Sequence, residues 1–452
     1  MPETLRVAVV GAGPAGFFLT EKLLGPADVP VEVDLFERLP TPYGLVRFGV
    51  APDHEKIKAV TRSFDKVAAR PGFRYFGNIE VGRDVTLDEL RQHYHAVAFA
   101  TGAQSDRRMG IPGEDLEGSH PATEFVAWYN GHPDYRDCRF DLSVERVAVV
   151  GVGNVAIDVA RILSRTPAEL GRTDIADHAL EALAHSGVKE VYLLGRRGPA
   201  QAAFTTPEVK ELGEMEQADA CAVPAEVALD PLSAAQVEQE AEATTKRKIE
   251  VLQGFAATPP SGKPKRLTIR FLVSPAELID DGTGRVAGIK VHHNRIVAKN
   301  GSLAAEATGT SEVLPVGLVF RSVGYKGRPI PGLPFDERSG TVPNEAGRVA
   351  MTGVYVAGWI KRGPSGVIGT NKPDAAETAE QILADFKAGQ LLDPPATAKP
   401  VIESTLRTRQ PALVTWEDWQ RINAIETAAG KAAGRPRVKF TTTAEMVTAR
   451  QS

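Results

Sequence analysis

The sequence is poor in cysteine, in aromatic residues and in long apolar runs, and each shortage excludes a class of protein. Its 452 residues include only Cys138 and Cys221, which provide neither a disulfide framework nor the ligand spacing of a zinc site, so we expect no metal. No apolar run is long enough to cross a bilayer, so we expect no membrane insertion. The formal net charge of −4 argues against binding to nucleic acid.

The N-terminus has no signal-peptide layout, because Met1 is followed almost at once by the strand-like segment Leu5–Val10. We therefore expect a reducing cytoplasm, or the mitochondrial matrix if a transit peptide was removed. The 42 glycines and 32 prolines indicate many tight connections, as nucleotide-binding α/β folds require.

A first nucleotide-binding fingerprint, Gly11-Ala12-Gly13-Pro14-Ala15-Gly16, follows a buried strand and opens a helix. Gly11 permits the tight turn, Gly13 lets the backbone approach a pyrophosphate, and Gly16 lets helix and strand pack closely. Glu37 ends the next strand, where its carboxylate would accept hydrogen bonds from ribose hydroxyls and repel a 2′-phosphate. This pattern fits FAD or NAD and disfavours NADP.

A second fingerprint, Gly151-Val152-Gly153-Asn154-Val155-Ala156, repeats the arrangement. The strand after it ends at Arg196-Arg197, where an NAD site would have an acid. Guanidinium groups match phosphate geometry, so these arginines are candidates to hold the 2′-phosphate of NADP. The alternative is that the arginines form a solvated basic turn. The interval between Ala156 and Arg196 is longer than usual, because a helical hairpin at about Pro167–Ser186 is inserted there.

The duplicated strand–glycine turn–helix unit predicts an α/β fold with two Rossmann-like, three-layer, dinucleotide-binding domains. The hydrophobic pattern of other segments predicts individual helices and strands. We expect a single amphipathic helix at Glu55–Ala69, a strand at Leu267–Val273, a buried strand at Gly353–Ala357, and a helix from about Asp374 to Lys387.

Several ordered motifs together make the chain similar to the adrenodoxin-reductase-type ferredoxin–NADP reductases. They extend from Gly11 to Asn371, and the tail near Arg437 continues the match. The motifs are Pro42-Tyr43-Gly44-Leu45-Val46-Arg47, Gly49-Val50-Ala51-Pro52-Asp53-His54, Gly195-Arg196-Arg197-Gly198, Ala203-Phe204-Thr205-Thr206, Gly358-Trp359-Ile360-Lys361-Arg362-Gly363-Pro364 and Gly366-Val367-Ile368-Gly369-Thr370-Asn371.

The resemblance implies a discontinuous FAD-binding domain with the NADP-binding domain inserted into it. The first part of the FAD-binding domain would be residues 1–103, and the NADP-binding domain residues 104–324. The second part of the FAD-binding domain, with a C-terminal helical tail, would be residues 325–452.

The resemblance also implies ligand contacts. FAD would contact Gly11, Gly13, Pro14, Ala15, Glu37, Leu45, Val81, Trp359, Gly366, Val367 and Ile368. NADP(H) would contact Arg107, Gly153, Asn154, Val155, Ala156, Ile157, Arg196, Arg197, Glu208 and Gly366. Many wider relatives carry an acid after the late glycine, whereas here Trp359 follows Gly358, which leaves open which group replaces that acid.

Two further features concern the chemistry at the flavin. The amides of Gly366, Val367 and Ile368 are candidates to stabilise charge on the flavin, unless this is merely a glycine-rich connector. His54 and Glu211 are the candidate catalytic residues, for positioning the nicotinamide or relaying protons. The alternative is that the histidine has only a structural role in its loop and that the acid is a solvated residue on the surface of its helix. Glu208 lies one turn before Glu211, on the same helix face.

Flavoproteins that reduce disulfides carry a cysteine pair beside the flavin, and this chain has none. We therefore expect an FAD-dependent ferredoxin–NADP(+) reductase, in which hydride passes between NADPH and FAD and single electrons reach a ferredoxin-type iron–sulfur protein. A basic rim for an acidic ferredoxin would come from Lys361-Arg362, Lys246-Arg247-Lys248 or Lys263–Arg266. The alternatives are an NADPH diaphorase or reductase module, or a nucleotide-sensing flavoprotein without a ferredoxin partner.

Overall fold

The computed structural model describes residues 4–26, 28–240, 242–395 and 398–451, and the chain divides into two compact units. The first unit consists of Met1–Ser105, Asn130–Asp134 and Gly324–Ser452. The second consists of Asp106–Tyr129 and Tyr135–Val323. Each unit is built around one parallel sheet, and each is described separately.

The first unit contains a five-stranded parallel sheet. Leu5–Val10 is buried along its whole length, which explains why its sequence is a nearly continuous apolar run rather than an alternating one. This strand lies at the centre of the sheet, and the second strand of the fingerprint unit pairs with it. The strands in spatial order are Val354–Val356, Ala96–Phe99, Leu5–Val10, Val31–Glu37 and Phe73–Gly77.

Helices cover both faces of this sheet and enclose two apolar clusters. Three of the helices begin with complete capping boxes, Thr86 with Glu89, Thr415 with Asp418 and Thr442 with Glu445, which satisfy the first amides of each helix. The helices are Pro14–Leu23, Leu45–Phe48, Glu55–Lys58, Thr61–Ala68, Leu87–His93, Trp359–Arg362, Asn371–Lys387, Ala398–Arg409, Trp416–Ala432 and Thr443–Ala449, with a 3₁₀ turn at Ile368–Thr370.

The second unit contains a six-stranded parallel sheet and a separate three-stranded antiparallel sheet. The parallel sheet has the spatial order Ser119–Pro121, Leu318–Arg321, Arg146–Val150, Glu190–Leu194, Lys265–Arg270 and Ala218–Ala222. The antiparallel sheet is formed by Val273–Asp280, Val286–Lys299 and Ser302–Leu314.

The helices of the second unit enclose its main apolar cluster, and a smaller cluster lies between the two sheets. They are Ala122–Tyr129, Asn154–Ser164, Pro167–Leu170, Asp177–Ala184, Thr206–Glu211, Pro224–Val227, Pro231–Glu240 and Ala243–Ala257. The predicted fold class, two Rossmann-like α/β units, is confirmed. In the described ranges, no helix combines the length and apolar character that a membrane crossing needs.

The predicted single helix at Glu55–Ala69 is wrong, because the chain forms two short helices separated by a tight turn. Val60 donates its amide to Ile57 O, an i→i−3 bond that replaces regular α-helical bonding. The hydroxyls of Thr61 and Ser63 donate to the carbonyls of Lys58 and Val60. Local side-chain bonding of this kind competes with a continuous helix.

The predicted strand Leu267–Val273 is also wrong, because it is divided between two different sheets. Leu272 has a φ of +55°, which no strand residue adopts, and the chain changes direction there. The Glu226 carboxylate accepts the amide of Phe271 and thereby fixes the bend. The late helix begins at Asn371 rather than near Asp374, so Asp374 lies in its first turn.

Candidate dinucleotide-binding sites

The first fingerprint forms a tight turn between Leu5–Val10 and the helix Pro14–Leu23. A Cβ atom at Gly11 would lie 2.6 Å from Ala100 O, so only glycine fits there. Pro14 occupies the first helical turn, where its missing N–H costs nothing. Within the described ranges, no protein group accepts a hydrogen bond from the amides of Gly13, Ala15 or Gly16. The helix N-terminus therefore presents donors and a partial positive charge to a phosphate.

Glu37 lies directly against this turn. Its two carboxylate oxygens accept the amides of Ala12, at 3.0 Å, and Leu39, at 3.1 Å. Desolvation raises the pKa of Glu37, although these amides and the neighbouring Arg38 work in the opposite direction. Each oxygen keeps lone-pair capacity for a ribose hydroxyl, so the acceptor set fits an adenosine ribose without a 2′-phosphate.

Two distant segments of the first unit meet the fingerprint. The amide of Tyr43 donates to Ala12 O at 2.8 Å, and a Cβ atom at Gly44 would lie 3.0 Å from the Cα of Gly13. On the other side, a Cβ atom at Gly358 would lie 2.5 Å from the Cβ of Ala15. The structure thus brings together three of the segments assigned to FAD from the sequence.

Asp374 supplies the carboxylate that is missing after Gly358. It accepts the amide of Gly358 at 2.5 Å, and it lies 3.2 Å from the ammonium of Lys361 and 3.6 Å from the guanidinium of Arg362. The sequence did not indicate this contact, because Asp374 lies in the helix Asn371–Lys387, 16 residues after Gly358, and not in the strand–turn motif itself.

The segment from Trp359 to Ile368 is exposed at residues 365–367 and contains backbone amides that make no hydrogen bond within the described residues. The Trp359 ring stacks on Tyr325 with centroids 5.7 Å apart, and its indole N–H donates to Ser365 O. In the described part of the chain, nothing accepts a hydrogen bond from the amides of Gly366, Val367 or Ile368. Such free amides are suited to stabilise negative charge on a ligand.

Two of the residues assigned to FAD carry large apolar side chains that are exposed, Leu45 by 45% and Val367 by 52%. Exposed apolar side chains at these positions fit contact with a flat ring system. Val81 behaves differently: it is half-buried, forms a bridge to Val85 and packs against the cluster on the opposite face of the sheet. None of the described contacts brings Val81 to the fingerprint.

The second fingerprint has the same architecture in the second unit. Gly153 precedes the helix Asn154–Ser164, and no described protein group accepts the amides of Gly153, Asn154 or Val155. Ala156 and Ile157 have fully buried side chains, and the amide of Ile157 already donates to Gly153 O. Any contact of Ile157 with a ligand is therefore indirect, through packing of the helix.

A loop that contains the Ala203-Phe204-Thr205-Thr206 motif supports this second turn. The amides of Ala203 and Phe204 both donate to Val152 O, and the amide of Thr205 donates to the Asn154 side chain at 2.9 Å. These bonds orient the Asn154 side-chain amide and explain why the motif accompanies the fingerprint.

Arg196 and Arg197 form a pair of cations without an acid. No carboxylate of the described residues lies within ion-pair distance of either guanidinium, and Arg196 is exposed. Desolvation, followed by repulsion from Arg196, lowers the pKa of Arg197. The backbone is held in place because Arg196 O accepts the Asn294 side-chain amide and Arg197 O accepts the amide of Leu272. A phosphate dianion would relieve this repulsion.

Glu208 and Glu211 lie on one face of the helix Thr206–Glu211, as their spacing predicted. Their carboxylates lie 3.6 Å and 3.8 Å from one nitrogen of Arg161, whose side chain is fully buried. Arg161 also binds Asp158 at 2.8 Å. Glu211 is thus part of an ion-pair cluster rather than a solvated acid. The sequence contained an indication of this cluster, because Asp158 and Arg161 are charged residues three positions apart in an otherwise apolar helix.

The other sequence-predicted polar residues have simpler surroundings. His54 is buried in the first unit, and its carbonyl accepts the amide of Ile57 at the start of a short helix. Arg107, in the second unit, is exposed.

The three basic clusters that the sequence offers as a docking rim differ in exposure and in ion pairing. The Lys361 ammonium is only 6% exposed and is held by Asp374 and Glu377. Lys248 is buried and donates to Ala202 O. Lys265 donates to a backbone carbonyl, and Arg266 pairs with Glu190. Lys246, Arg247 and Arg266 are exposed, and Arg247 pairs with Glu250.

Two helix N-termini whose first amides have no acceptor among the described residues, one beside a carboxylate and the other followed by paired arginines, are typical of a pyridine-nucleotide-dependent flavoprotein oxidoreductase. In agreement, residues 5–194 match the model of the pyridine nucleotide-disulphide oxidoreductase family.

Full-length relatives give a narrower classification. The chain is 48% identical to the NADPH-ferredoxin reductase FprA of Mycobacterium tuberculosis, covering 98% of both chains. It is 41% identical to the human mitochondrial NADPH:adrenodoxin oxidoreductase, covering 98% of this chain and 92% of the relative. The solved structure of M. tuberculosis FprA in complex with NADPH superposes with a TM-score of 0.95 at 47% identity, and covers both chains completely. The chain belongs to the NADPH-ferredoxin reductase family.

The glycines of the second fingerprint provide a matched pair of substitutions. Gly151 has a φ of +130°, and a Cβ there would collide with Ser322 O, whereas a Cβ at Gly153 would meet no atom within 4 Å. We expect Gly151→Ala to prevent correct folding of the second unit. Gly153→Ala should fold normally but weaken NADPH binding at least about ten-fold, because the methyl group occupies the path of the pyrophosphate.

Circular dichroism, thermal unfolding and NADPH titration of both variants measure these effects. Tight NADPH binding by folded Gly153→Ala protein would contradict a pyrophosphate at this turn.

Proposed function

We propose that the chain is an FAD-dependent ferredoxin–NADP(+) reductase, which carries electrons between NADPH and a ferredoxin-type iron–sulfur protein. We further propose that the first unit binds FAD and the second unit binds NADP(H). The observation that carries this assignment is the contrast between Glu37, which offers acceptors to a ribose, and the acid-free pair Arg196-Arg197. The full-length relatives support the ferredoxin partner.

The chain's own residues would bind and orient the two dinucleotides. In the first unit, the amides of Gly13, Ala15 and Gly16 would hold the FAD pyrophosphate, and Glu37 would hold the ribose. The amides of Gly366, Val367 and Ile368 would face the charge that develops on the flavin. In the second unit, Gly153, Asn154 and Val155 would hold the NADP pyrophosphate. Bound FAD supplies the conversion between two-electron hydride transfer and one-electron transfer.

The position of the cysteines supports direct transfer from flavin to the external acceptor. Cys138 and Cys221 both belong to the second unit and are free thiols, and the first unit contains no cysteine in its sequence. Burial raises the pKa of both thiols, so neither has the thiolate character of a redox-active cysteine. A dithiol relay beside the flavin therefore has no residues to carry it.

His54 and Glu211 remain the proposed catalytic residues, one from each unit. The Arg161 cluster supports Glu211 as a carboxylate held in a fixed position, suited to orient a nicotinamide or accept a proton. The bacterial relatives support a cytoplasmic location.

The arginine pair should determine the preference for NADPH over NADH. Each charge-assisted bond to the 2′-phosphate is worth about 1.5–3 kcal/mol, so the pair should contribute roughly 100-fold or more in selectivity. We expect the double variant Arg196→Ala, Arg197→Ala to lose that preference, measured as the ratio of kcat/KM for the two nucleotides. Arg247→Ala, an exposed arginine of the same unit, should leave the ratio intact. Unchanged selectivity in the double variant would contradict the assignment.

Anaerobic titration tests the whole proposal. Equimolar NADPH should bleach the flavin absorption band of the holoprotein, and oxidised ferredoxin added afterwards should restore it. NADH at the same concentration should act much more slowly. If the protein binds FAD and NADPH but reduces ferredoxin no faster than a control without protein, the result would favour the nucleotide-sensing flavoprotein. Reduction of dyes without reduction of ferredoxin would favour the diaphorase.

Glu211 can be separated from its neighbours by stopped-flow measurement of flavin reduction. We expect Glu211→Ala to slow reduction at saturating NADPH by about ten-fold or more, since a positioned acid–base group typically contributes 10²–10⁴-fold. Glu214→Ala, an exposed acid three residues further along the chain, is the control and should react normally. Hydride-transfer kinetics that are the same in both variants would remove Glu211 from the mechanism.

A further inference from the structure

The long C-terminal helix Trp416–Ala432, which precedes the short last helix Thr443–Ala449, carries a carboxylate that is buried completely. The Glu426 side chain has no exposed surface, and its partner Arg47 is only 3% exposed. The Arg47 guanidinium donates two bonds to the two Glu426 oxygens, at 2.8 Å and 2.5 Å. This fork-to-fork geometry fixes both the distance and the orientation of the two side chains.

Two further donors complete the surroundings of Glu426. Arg437 donates to the same carboxylate at 3.0 Å, and the amide of Phe440 donates at 2.9 Å. Burial disfavours the ionised carboxylate, but Arg47 and Arg437 outweigh that effect and lower the pKa of Glu426. The cluster is therefore a charged, hydrogen-bonded junction at neutral pH.

The loop that Glu426 holds lies on the first fingerprint. Arg47 belongs to the short helix Leu45–Phe48, which follows Gly44 directly. A Cβ at Gly44 would be within 3.0 Å of Gly13 Cα, so the loop and the phosphate-binding turn are in backbone contact. Any displacement of Arg47 is transmitted to this contact through only two intervening residues.

The same C-terminal helix holds the other side of Gly44. The Trp419 indole N–H donates to the hydroxyl of Tyr43 at 3.3 Å, and the two rings meet edge to face with centroids 5.6 Å apart. The Tyr43 hydroxyl in turn donates to Asp65. Tyr43 has a φ of +84°, a conformation that a non-glycine residue keeps only when its surroundings enforce it.

We propose that Glu426 is a positioning residue for the flavin nucleotide, and that the C-terminal helix sets the FAD-binding loop through Arg47 and Tyr43. The inference rests on the proposed function in one respect, that the first unit binds FAD. Buried ion pairs contribute little to stability compared with apolar side chains of the same size, but they enforce one register between the elements that they join. Here the elements are the tail and the loop on the phosphate-binding turn.

Glu426→Gln tests the inference, because it keeps the size of the side chain and removes its charge. FAD is removed from the holoprotein, and its re-binding is then measured by the quenching of FAD fluorescence. The unfolding midpoint of the apoprotein is measured in parallel. We expect the Kd for FAD to rise at least about ten-fold and NADPH affinity to stay near that of the wild type. A change confined to the unfolding midpoint would mean that the ion pair is merely structural.

Glu114→Gln is the matched control. Glu114 is a buried carboxylate of the second unit that accepts a bond from Arg321 at 3.1 Å and the amides of Met109 and Gly110. It makes no contact with the loop. We expect this variant to unfold more easily and yet bind FAD normally. If both variants weakened FAD binding equally, general destabilisation would explain the effect and the inference would be overturned.

A milder variant covers the case in which Glu426→Gln does not fold. Trp419→Phe keeps the aromatic packing and removes only the N–H donated to Tyr43, and it should weaken FAD binding several-fold in a normally folded protein. If Trp419→Phe bound FAD with the affinity of the wild type, the inference would be overturned, whether or not the separate Glu426→Gln variant folds. Failure of the wild type itself to bind FAD would instead refute the proposed function.

Discussion

Backbone amides without protein acceptors, at the first turns of Pro14–Leu23 and Asn154–Ser164, are the feature on which the rest of the structure depends. An amide can remain unsatisfied at such a place only if a ligand or water completes it. Close packing fixes the backbone of both turns, because Gly11 lies against Ala100 and Gly151 lies against Ser322. The surrounding sheets, loops and buried ion pairs hold these two turns in a fixed geometry.

The two turns are alike in backbone and opposite in charge. Glu37 uses each carboxylate oxygen to hold a neighbouring amide, so the acid is fixed before any ribose arrives. Arg196 and Arg197 are fixed instead through their carbonyls, and their guanidinium groups remain without an acid. On the proposed assignment, selectivity between dinucleotides depends on one or two side chains at the end of a strand, while the backbone of the two turns is alike.

The features that the sequence predicted are local in the chain. Each fingerprint lies between a strand and a helix, and the acid ends and the arginines follow the next strand of the same sheet, so the local pattern identified them. The residues that escaped prediction act across long separations or across an element boundary. Glu426 meets Arg47 at a separation of 379 residues, and Asp374 meets Gly358 from the later helix Asn371–Lys387. The turn at Val60 escaped for a different reason, since side-chain bonding to the backbone overrode helix periodicity.

The insertion of one unit within the other has a consequence for synthesis on the ribosome. The strand Val354–Val356, which completes the first sheet by pairing with Ala96–Phe99, follows the whole second unit in the chain, and Glu426 follows later still. Domains fold largely as units as they emerge. The first sheet is thus completed only after the whole second unit has been translated. On the proposed assignment, the loop that would contact FAD acquires its last partner only when the chain has emerged as far as Glu426.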